Sequence, residues 1–117
     1  MPLRVLVVDD DAGFRRVARR LLTRRGLVVV AEVDSGEAAV EAVRCHRPDG
    51  VLLDVNLPDR DGLWVLRALA GRPDAPSIVL TSSHDREDFG DSLPLSPAAG
   101  FVPKDELSGA AVAALVA

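Results

Sequence analysis

The amino-acid sequence predicts an α/β protein whose core is an open, doubly wound parallel sheet of five strands in the order 2-1-3-4-5. Five short apolar runs alternate with segments of helical periodicity, which is typical of strands and helices joined by right-handed crossovers. The fifth run contains Pro103, and proline inside a strand is tolerated mainly at the edge of a sheet. An edge position for the fifth strand agrees with the order 2-1-3-4-5, in which a ligand crevice opens at strands one and three.

The predicted strands are short runs that are rich in apolar residues. The first run is continuous, as expected for a strand that is buried on both faces of a parallel sheet. The five predicted strands cover residues 4–9, 27–33, 50–54, 77–82 and 100–104.

The first predicted helix is amphipathic and follows the first strand. Its apolar residues recur at the spacing i, i+3, i+4, i+7 and i+8, arginines occupy the opposite face, and the helix is expected to end at Gly26. The apolar residues are Phe14, Val17, Ala18, Leu21 and Leu22, and the arginines are Arg15, Arg16, Arg19 and Arg20.

Further helices are predicted after the second, third and fifth strands. Ser35 is expected to cap a helix over residues 36–46, and Pro48 prevents its continuation. The other two helices are expected over about residues 61–70 and within residues 106–117.

The connection between strands four and five departs from this regular alternation. Pro94 and Pro97 lack the amide hydrogen that a helix needs, and each disfavours the helical conformation of the residue before it. A helix that starts near residue 85 should therefore end by about residue 92 and leave residues 93–99 irregular. The predicted fold thus has an altered fourth helix.

Length, charge and cysteine content indicate one soluble domain over residues 1–117. The net charge of −4 gives no electrostatic support to binding a nucleic-acid backbone. Cys45 is the only cysteine, which excludes an internal disulfide and fits a reducing cytoplasm. The apolar run after Pro2 is too short for a signal peptide or a membrane span, so we expect a cytoplasmic protein without membrane insertion.

Polar side chains stand at the carboxyl ends of four predicted strands, and these ends meet at one crevice in this fold. Carboxylates that face a single lysine predict a site for a hard divalent cation, and Mg²⁺ takes oxygen ligands of this kind. Alone, Asp10 or Asp11 is explained equally well as the cap of the first helix, but the combination at four strand ends favours a functional interpretation. The residues are Asp9, Asp10 and Asp11 after strand one, Asp54 after strand three, Thr81 and Ser82 at the end of strand four, and Lys104 after strand five.

Four stretches in order carry a resemblance to a known family: "VVDDD", "LLDVNLPDRDG" around Asp54, "LTS" with Thr81, and "GFVPK" ending at Lys104. Over nearly its full length the chain resembles the receiver domain of two-component response regulators. The resemblance implies the flavodoxin-like form of the doubly wound fold.

The resemblance also implies a chemical role for each residue of the carboxylate cluster. Asp54 would be the phosphoacceptor, and Lys104 would pair with the phosphoryl group. Asp9 and Asp10 would hold Mg²⁺ together with Asp54 and the backbone carbonyl of Asn56. A carboxylate can act as a nucleophile toward phosphorus, and phosphoryl transfer needs mainly positioning and neutralisation of charge, so this set of residues is chemically coherent.

A second set of residues is implied to shape the site or to report its state. Thr81 would bond to the phosphoryl group on activation, and the rotamer of Phe101 would follow Thr81. Asp105 stands where the family commonly has proline, so the sequence leaves the loop after Lys104 open. The residues that match the family's loop after the phosphoacceptor are Leu57, Pro58, Asp61 and Gly62.

The implied function is that of a phosphoacceptor receiver in a phosphorelay. A sensor histidine kinase would donate the phosphoryl group, and the receiver would control a separate downstream protein. It would bind no nucleic acid directly and catalyse only its own phosphorylation and dephosphorylation. The altered fourth helix predicts that it forms no symmetric dimer through that face. The sequence ends with its last helix, which fits either a stand-alone receiver or one cut from a longer regulator.

Three other classes of protein have some of these features. A receiver-like scaffold that is never phosphorylated is disfavoured by the intact set of site residues. A haloacid-dehalogenase-like phosphatase needs threonine or valine after its second aspartate, whereas Ala12 follows Asp11 here. A flavodoxin-like flavin binder needs a loop rich in serine, threonine and glycine to hold a phosphate, and three carboxylates would repel that phosphate.

Overall fold

Runs rich in valine and leucine pair into one parallel sheet in the computed structural model, which describes residues 2–59, 62–69, 75–83 and 100–116. The strand order is β2-β1-β3-β4-β5, as predicted, and the strand that contains Pro103 lies at an edge. The strands are β1 (Arg4–Val8), β2 (Val28–Val33), β3 (Gly50–Asp54), β4 (Ser77–Ser82) and β5 (Gly100–Pro103).

The helices cover both faces of the sheet, so the predicted doubly wound fold is confirmed. The helices of the described ranges are α1 (Ala12–Arg24), α2 (Gly36–His46), α3 (Gly62–Leu69) and α4 (Gly109–Val116), with a short 3₁₀ helix at Lys104–Glu106. Alternate residues of each central strand point to opposite faces. Leu6 and Leu53 pack with α2 and α3, whereas Val7 and Leu52 pack with α1 and α4.

The most buried strand, β3, positions the centre of the site. It is hydrogen bonded to β1 on one side and to β4 on the other, and all five of its residues are buried. Asp54 is its last residue, and it is paired in register with Thr81 of β4. Asp54, the polar residue of this otherwise apolar strand, therefore lies in the middle of the carboxyl edge of the sheet.

The first helix ends before Gly26, as predicted, but its buried face is narrower than its sequence predicts. Ala18 and Leu22 are fully buried, as expected, but the assignment of Val17 to the buried face is wrong because Val17 is 48% exposed. Successive helical residues are turned by about 100°, which places Val17 beyond the edge of the face centred on Ala18. Arg15 lies on the other side of that face and is only half-exposed, although the sequence places it among the solvated arginines.

Both predicted helix caps that the structure describes are present. The carboxylate of Asp11 accepts hydrogen bonds from the amides of Gly13 and Phe14 at 2.9 and 3.2 Å. Of the two candidate residues, Asp11 therefore caps α1. The hydroxyl of Ser35 accepts from the amide of Ala38 at 3.2 Å and caps α2, as predicted.

Two strand ends differ from the prediction by one residue. The first strand ends at Val8 and the fifth at Pro103, so Asp9 and Lys104 follow their strands. Lys104 instead begins the 3₁₀ turn, which includes Asp105 and closes with a hydrogen bond from the Leu107 amide to the Lys104 carbonyl at 3.4 Å. Because Lys104 lies outside the strand, the alternation of the strand does not fix the direction of its side chain, which reaches Asp9 and Asp54.

Two expectations fall on parts of the chain outside the described residues. One is the altered fourth helix, predicted to end near residue 92 and to leave residues 93–99 irregular; the other is the loop role of Asp61. Among the helices of the described ranges, none combines the length and the apolar character needed to cross a membrane.

Candidate functional site

The acidic and basic side chains predicted to converge do so at the carboxyl edge of the sheet. Asp9 and Asp54 are almost completely buried, at 0% and 4% exposure. The Lys104 Nζ atom forms an ion pair with Asp9 Oδ2 at 2.7 Å and donates a hydrogen bond to Asp54 Oδ2 at 3.4 Å. The strand ends of β1, β3 and β5 thus supply one charge cluster.

Backbone amides orient the two buried carboxylates in the same way. Oδ1 of Asp9 accepts from the amide of Asp11 at 2.9 Å, and Oδ1 of Asp54 accepts from the amide of Asn56 at 3.0 Å. An aspartate that bonds to the backbone two residues on is a common turn-forming arrangement. In each residue this leaves Oδ2 as the oxygen that faces Lys104.

The same edge offers oxygen ligands for a metal ion. Asp9, Asp10 and Asp54 each present a carboxylate oxygen, and the three oxygens lie within 4.8 Å of one another. Asp9 Oδ2 is buried, and its close partner among the described residues is the Lys104 ammonium at 2.7 Å. Asp10 is exposed, so solvent can complete a coordination shell. A donor set made only of hard oxygens, open on one side, fits Mg²⁺.

Burial and the neighbouring charges shift both central pKa values. Burial, together with the charge of Asp9, raises the pKa of Asp54 to about 6, against the lowering effects of the Asn56 amide and of Lys104. Burial by itself would lower the pKa of Lys104, but its contacts with Asp9 and Asp54 outweigh burial and raise that pKa above its ordinary value. At neutral pH the site therefore holds a charged lysine beside a carboxylate that is costly to ionise.

Thr81 places a hydroxyl beside the central aspartate. It is fully buried at the end of β4, and its Oγ1 has no hydrogen-bond partner within the described part of the chain. An unpaired buried hydroxyl is uncommon in folded proteins, which makes this one a candidate for a functional role. The backbone carbonyl of Thr81 accepts from the amide of Val55 at 3.0 Å, which fixes the loop that leaves β3.

Phe101 lies on the neighbouring strand, one position before the register partner of Thr81. That partner is Val102, which packs on the α1 and α4 face, whereas Phe101 packs against the cluster on the α2 and α3 face. The ring is half-buried. A movement of Thr81 would therefore reach Phe101 through the backbone and neighbours of β5. The coupling between the two remains a prediction.

Gly62 supports the site at closer range than a general shaping role suggests. Its amide donates to the carbonyl of Val55 at 2.6 Å. A Cβ atom at this position would lie 2.7 Å from the carbonyl oxygen of Asp54 and 2.8 Å from Cα of Val55. The start of α3 is thus pressed directly against the backbone of the central aspartate.

Two residues that sequence reasoning did not assign to the site are in contact with it, and a third caps the start of α2. The guanidinium of Arg15 donates to the backbone carbonyl of Asp9 at 2.6 Å, and the ring of Phe14 lies 4.5 Å from Lys104 Nζ. Both contacts are explained by the positions of Arg15 and Phe14 around the axis of α1, once the buried face of that helix is known. Asp59, which the sequence places only in a loop, accepts from the amides of Gly36 and Glu37 at 2.8 and 3.1 Å.

The contact of Asp59 predicts a loss of stability on its removal. Asp59→Ala should lower the free energy of unfolding by about 1–2 kcal/mol, because the first two amides of α2 lose their charged acceptor. Urea denaturation measures the change. Asp34→Ala removes an exposed carboxylate next to the same helix and should change stability by less than about 0.5 kcal/mol. Equal losses in the two variants would contradict the capping role.

Comparison with known proteins agrees with this geometry. A family model described as the response regulator receiver domain matches residues 5–115. The probable transcriptional regulatory protein NarL of Mycobacterium tuberculosis is 38% identical over 104 residues, covering 88% of this chain and 48% of that protein. The transcriptional regulatory protein PdtaR of the same organism is 37% identical over 87 residues, covering 74% of this chain and 42% of that protein. The chain therefore spans less than half the length of these two curated relatives.

A solved structure extends the similarity to the whole described fold. The signal receiver domain of the putative response regulator NarL from Mycobacterium tuberculosis superimposes with a TM-score of 0.88 at 34% sequence identity. The match covers 98% of this chain and 96% of that domain. The family match over residues 5–115, the shared strand order and the carboxylate cluster lead to one conclusion: the chain belongs to the receiver domain family of two-component response regulators.

Proposed function

We propose that the chain, as a receiver domain over residues 1–117, accepts a phosphoryl group on Asp54 from a sensor histidine kinase and thereby controls a separate protein. The observation that carries the proposal is the placement of Asp54. It is a buried carboxylate at the end of the central strand, with Lys104 Nζ 3.4 Å from one oxygen and the carboxylates of Asp9 and Asp10 alongside.

Asp54 serves as the nucleophile. Its carboxylate oxygen attacks phosphorus and forms an acyl phosphate, while the bond from phosphorus to the donor's leaving group breaks. With a pKa of about 6, the carboxyl group is mostly ionised at neutral pH and needs no separate base. Oδ1 accepts from the amide of Asn56, so Oδ2, which faces Lys104, is the oxygen that would react.

Lys104 balances part of the negative charge that phosphoryl transfer brings into the site, and the carboxylates would hold a metal ion for the rest. The lysine ammonium neutralises oxygens of the incoming group from the β5 side. Asp9, Asp10, Asp54 and the backbone carbonyl of Asn56 would hold Mg²⁺. When bound, Mg²⁺ would supply charge neutralisation and orientation of the phosphoryl oxygens.

Thr81 and Phe101 form the proposed switch. The hydroxyl of Thr81, which has no partner among the described residues, would donate to a phosphoryl oxygen on Asp54, its register partner on β3. The shift of Thr81 alters the packing around Phe101 on the edge strand and so changes the surface presented to the downstream protein.

The proposed location of the receiver is the cytoplasm. It catalyses no reaction other than its own phosphorylation and dephosphorylation. Contact with nucleic acid or membrane is not part of its own role, which agrees with the net charge of −4. Any DNA binding in an assembly that contains this chain would reside in another domain.

Phosphorylation by a small donor tests the proposal. Incubation of the protein with acetyl phosphate and Mg²⁺ should add the mass of one phosphoryl group, and hydroxylamine should remove it, as expected for an acyl phosphate. EDTA should prevent the gain because the carboxylates of the site then lack their metal. Asp54→Asn is the matched variant, and a mass gain that persists in it would refute the assignment of Asp54.

A further inference from the structure

An aromatic ring covers the ammonium group of the site lysine. Lys104 Nζ lies 4.5 Å from the centroid of the Phe14 ring, in the first turn of α1. A cation within about 6 Å of a ring centroid and over its face is attracted by the ring's quadrupole. The Lys104 side chain is 19% exposed, so water screens this attraction less than at an open surface.

The ring belongs to a fixed part of the molecule. The amide of Phe14 donates to Asp11, the cap of α1, at 3.2 Å. The Phe14 side chain also packs against the core cluster that contains Ala18 and Leu22. Cap and core together hold the ring in place, whereas the lysine stands at the start of a short 3₁₀ turn after an edge strand.

The ring is the uncharged member of three groups around the ammonium. Asp9 Oδ2 lies 2.7 Å away and Asp54 Oδ2 lies 3.4 Å away. Asp9 is also a member of the carboxylate set that fits a metal ion. A divalent cation at Asp9 weakens that carboxylate's hold on the lysine, while the attraction of the ring does not depend on Asp9.

We propose that Phe14 is a positioning residue, which holds the ammonium of Lys104 beside Asp54 and keeps it there when a divalent cation occupies the carboxylates. The consequence for phosphorylation rests on the proposed function of Asp54, whereas the hold on Lys104 does not. In this role the ring takes no part in the chemistry itself and acts through the lysine.

The contact between the Phe14 ring and the Lys104 side chain can be measured without phosphorylation. Lys104 is the only lysine of the chain, so lysine-selective ¹³C labelling gives a single Cε signal by NMR. Its methylene protons should be shifted upfield by the ring, and the shift should persist in saturating Mg²⁺. It should be lost in Phe14→Leu and retained in Phe14→Tyr. The same chemical shift in the Leu variant and the wild type, or loss of the upfield shift in Mg²⁺, would overturn the proposal.

The effect on reaction is tested by weakening the ring's quadrupole without changing its shape. Phenylalanine analogues with one, two and three ring fluorines, introduced at position 14 alone, withdraw electron density from the ring face. The rate of phosphorylation by acetyl phosphate should fall stepwise by about fivefold in total, which corresponds to the usual size of a partly shielded cation–π contact. The far-UV circular dichroism spectrum should stay unchanged, and the melting temperature should fall by only a few degrees, as expected for the loss of one such contact.

The two experiments separate this inference from the proposed function. A constant rate across the fluorinated series would overturn the positioning role, since a merely structural ring is indifferent to fluorine. Absence of phosphorylation in the wild-type protein, with the upfield Lys104 signal present, would refute the role of Asp54 and support the hold of Phe14 on the lysine.

Discussion

Asp54→Asn should raise the free energy of unfolding at pH 7.5 by about 2 kcal/mol, although it removes the proposed phosphoacceptor. The native carboxyl group has a pKa of about 6 against an ordinary value of 3.8, chiefly because it is buried. Each unit of pKa corresponds to about 1.4 kcal/mol, so ionising Asp54 in the folded protein costs on the order of 2–3 kcal/mol. Asparagine keeps an oxygen that can accept from the Asn56 amide and carries no charge.

The same shift fixes the sign of the pH dependence. Between about pH 4 and pH 6 the folded protein retains the Asp54 proton that the unfolded chain has lost, so the contribution of Asp54 makes stability fall as pH rises through this window. Below the window the contribution vanishes, and above it the cost is constant.

Urea denaturation at pH 4.5 and pH 7.5 measures this difference. The Asn variant should lack most of the fall, whereas Asp10→Asn, which removes an exposed carboxylate of the same cluster, should retain it. Mg²⁺ should stabilise the wild type more than the Asn variant, because a ligand of the folded state adds stability by mass action. An equal pH slope in wild type and Asp54→Asn would show that burial of this carboxylate carries no such cost.

Gly62→Ala should destabilise the protein by about 2–3 kcal/mol and sharply reduce phosphorylation. The added methyl group would lie 2.7 Å from the Asp54 carbonyl oxygen and 2.8 Å from Cα of Val55, and both are backbone atoms that cannot rotate away. Relief of the overlap requires α3 to move from the end of β3. The hydrogen bond between the Gly62 amide and the Val55 carbonyl would be lost, and the loop that carries Asn56 would shift.

A second glycine provides the matched control. A Cβ at Gly13, in the first turn of α1, would meet only Oδ1 of Asp11 at 3.2 Å. Alanine is also the better helix former, so Gly13→Ala should stay within about 1 kcal/mol of the wild type. Urea denaturation measures the stability of both variants, and labelling with acetyl phosphate measures their phosphorylation. Gly62→Ala with normal stability and normal labelling would show that the close approach of α3 is not needed.

Much of the fold and of the site follows from local sequence features. The runs that became β1 and β3 are continuous and apolar, and only a sheet covered on both faces can bury such runs. Pro103 alone placed the fifth strand at an edge. The strand order then predicts the convergence of Asp54 and Lys104, because the carboxyl ends of all the parallel strands lie along one edge of the sheet.

The features that escaped prediction depend on three-dimensional packing. The exposure of Val17 and the inward turn of Arg15 depend on which part of α1 meets the sheet, and periodicity fixes that angle only to within one residue. The cap that Asp59 provides joins residues 22 and 23 positions apart along the chain. No local pattern marks such a contact. The burial of Asp9 and the exposure of Asp10 likewise depend on the position at which β1 ends.

The shared lysine has a consequence for how the site meets its metal. Oδ2 of Asp9 and Oδ2 of Asp54 both face the ammonium of Lys104, at 2.7 and 3.4 Å. The ammonium offsets the repulsion between the two buried carboxylates. A divalent cation bound at Asp9, as proposed, would compete with the lysine for that carboxylate, so its affinity would be lower than at the same carboxylates without a lysine. Release of the metal would be correspondingly easier, because the lysine stands ready to take its place.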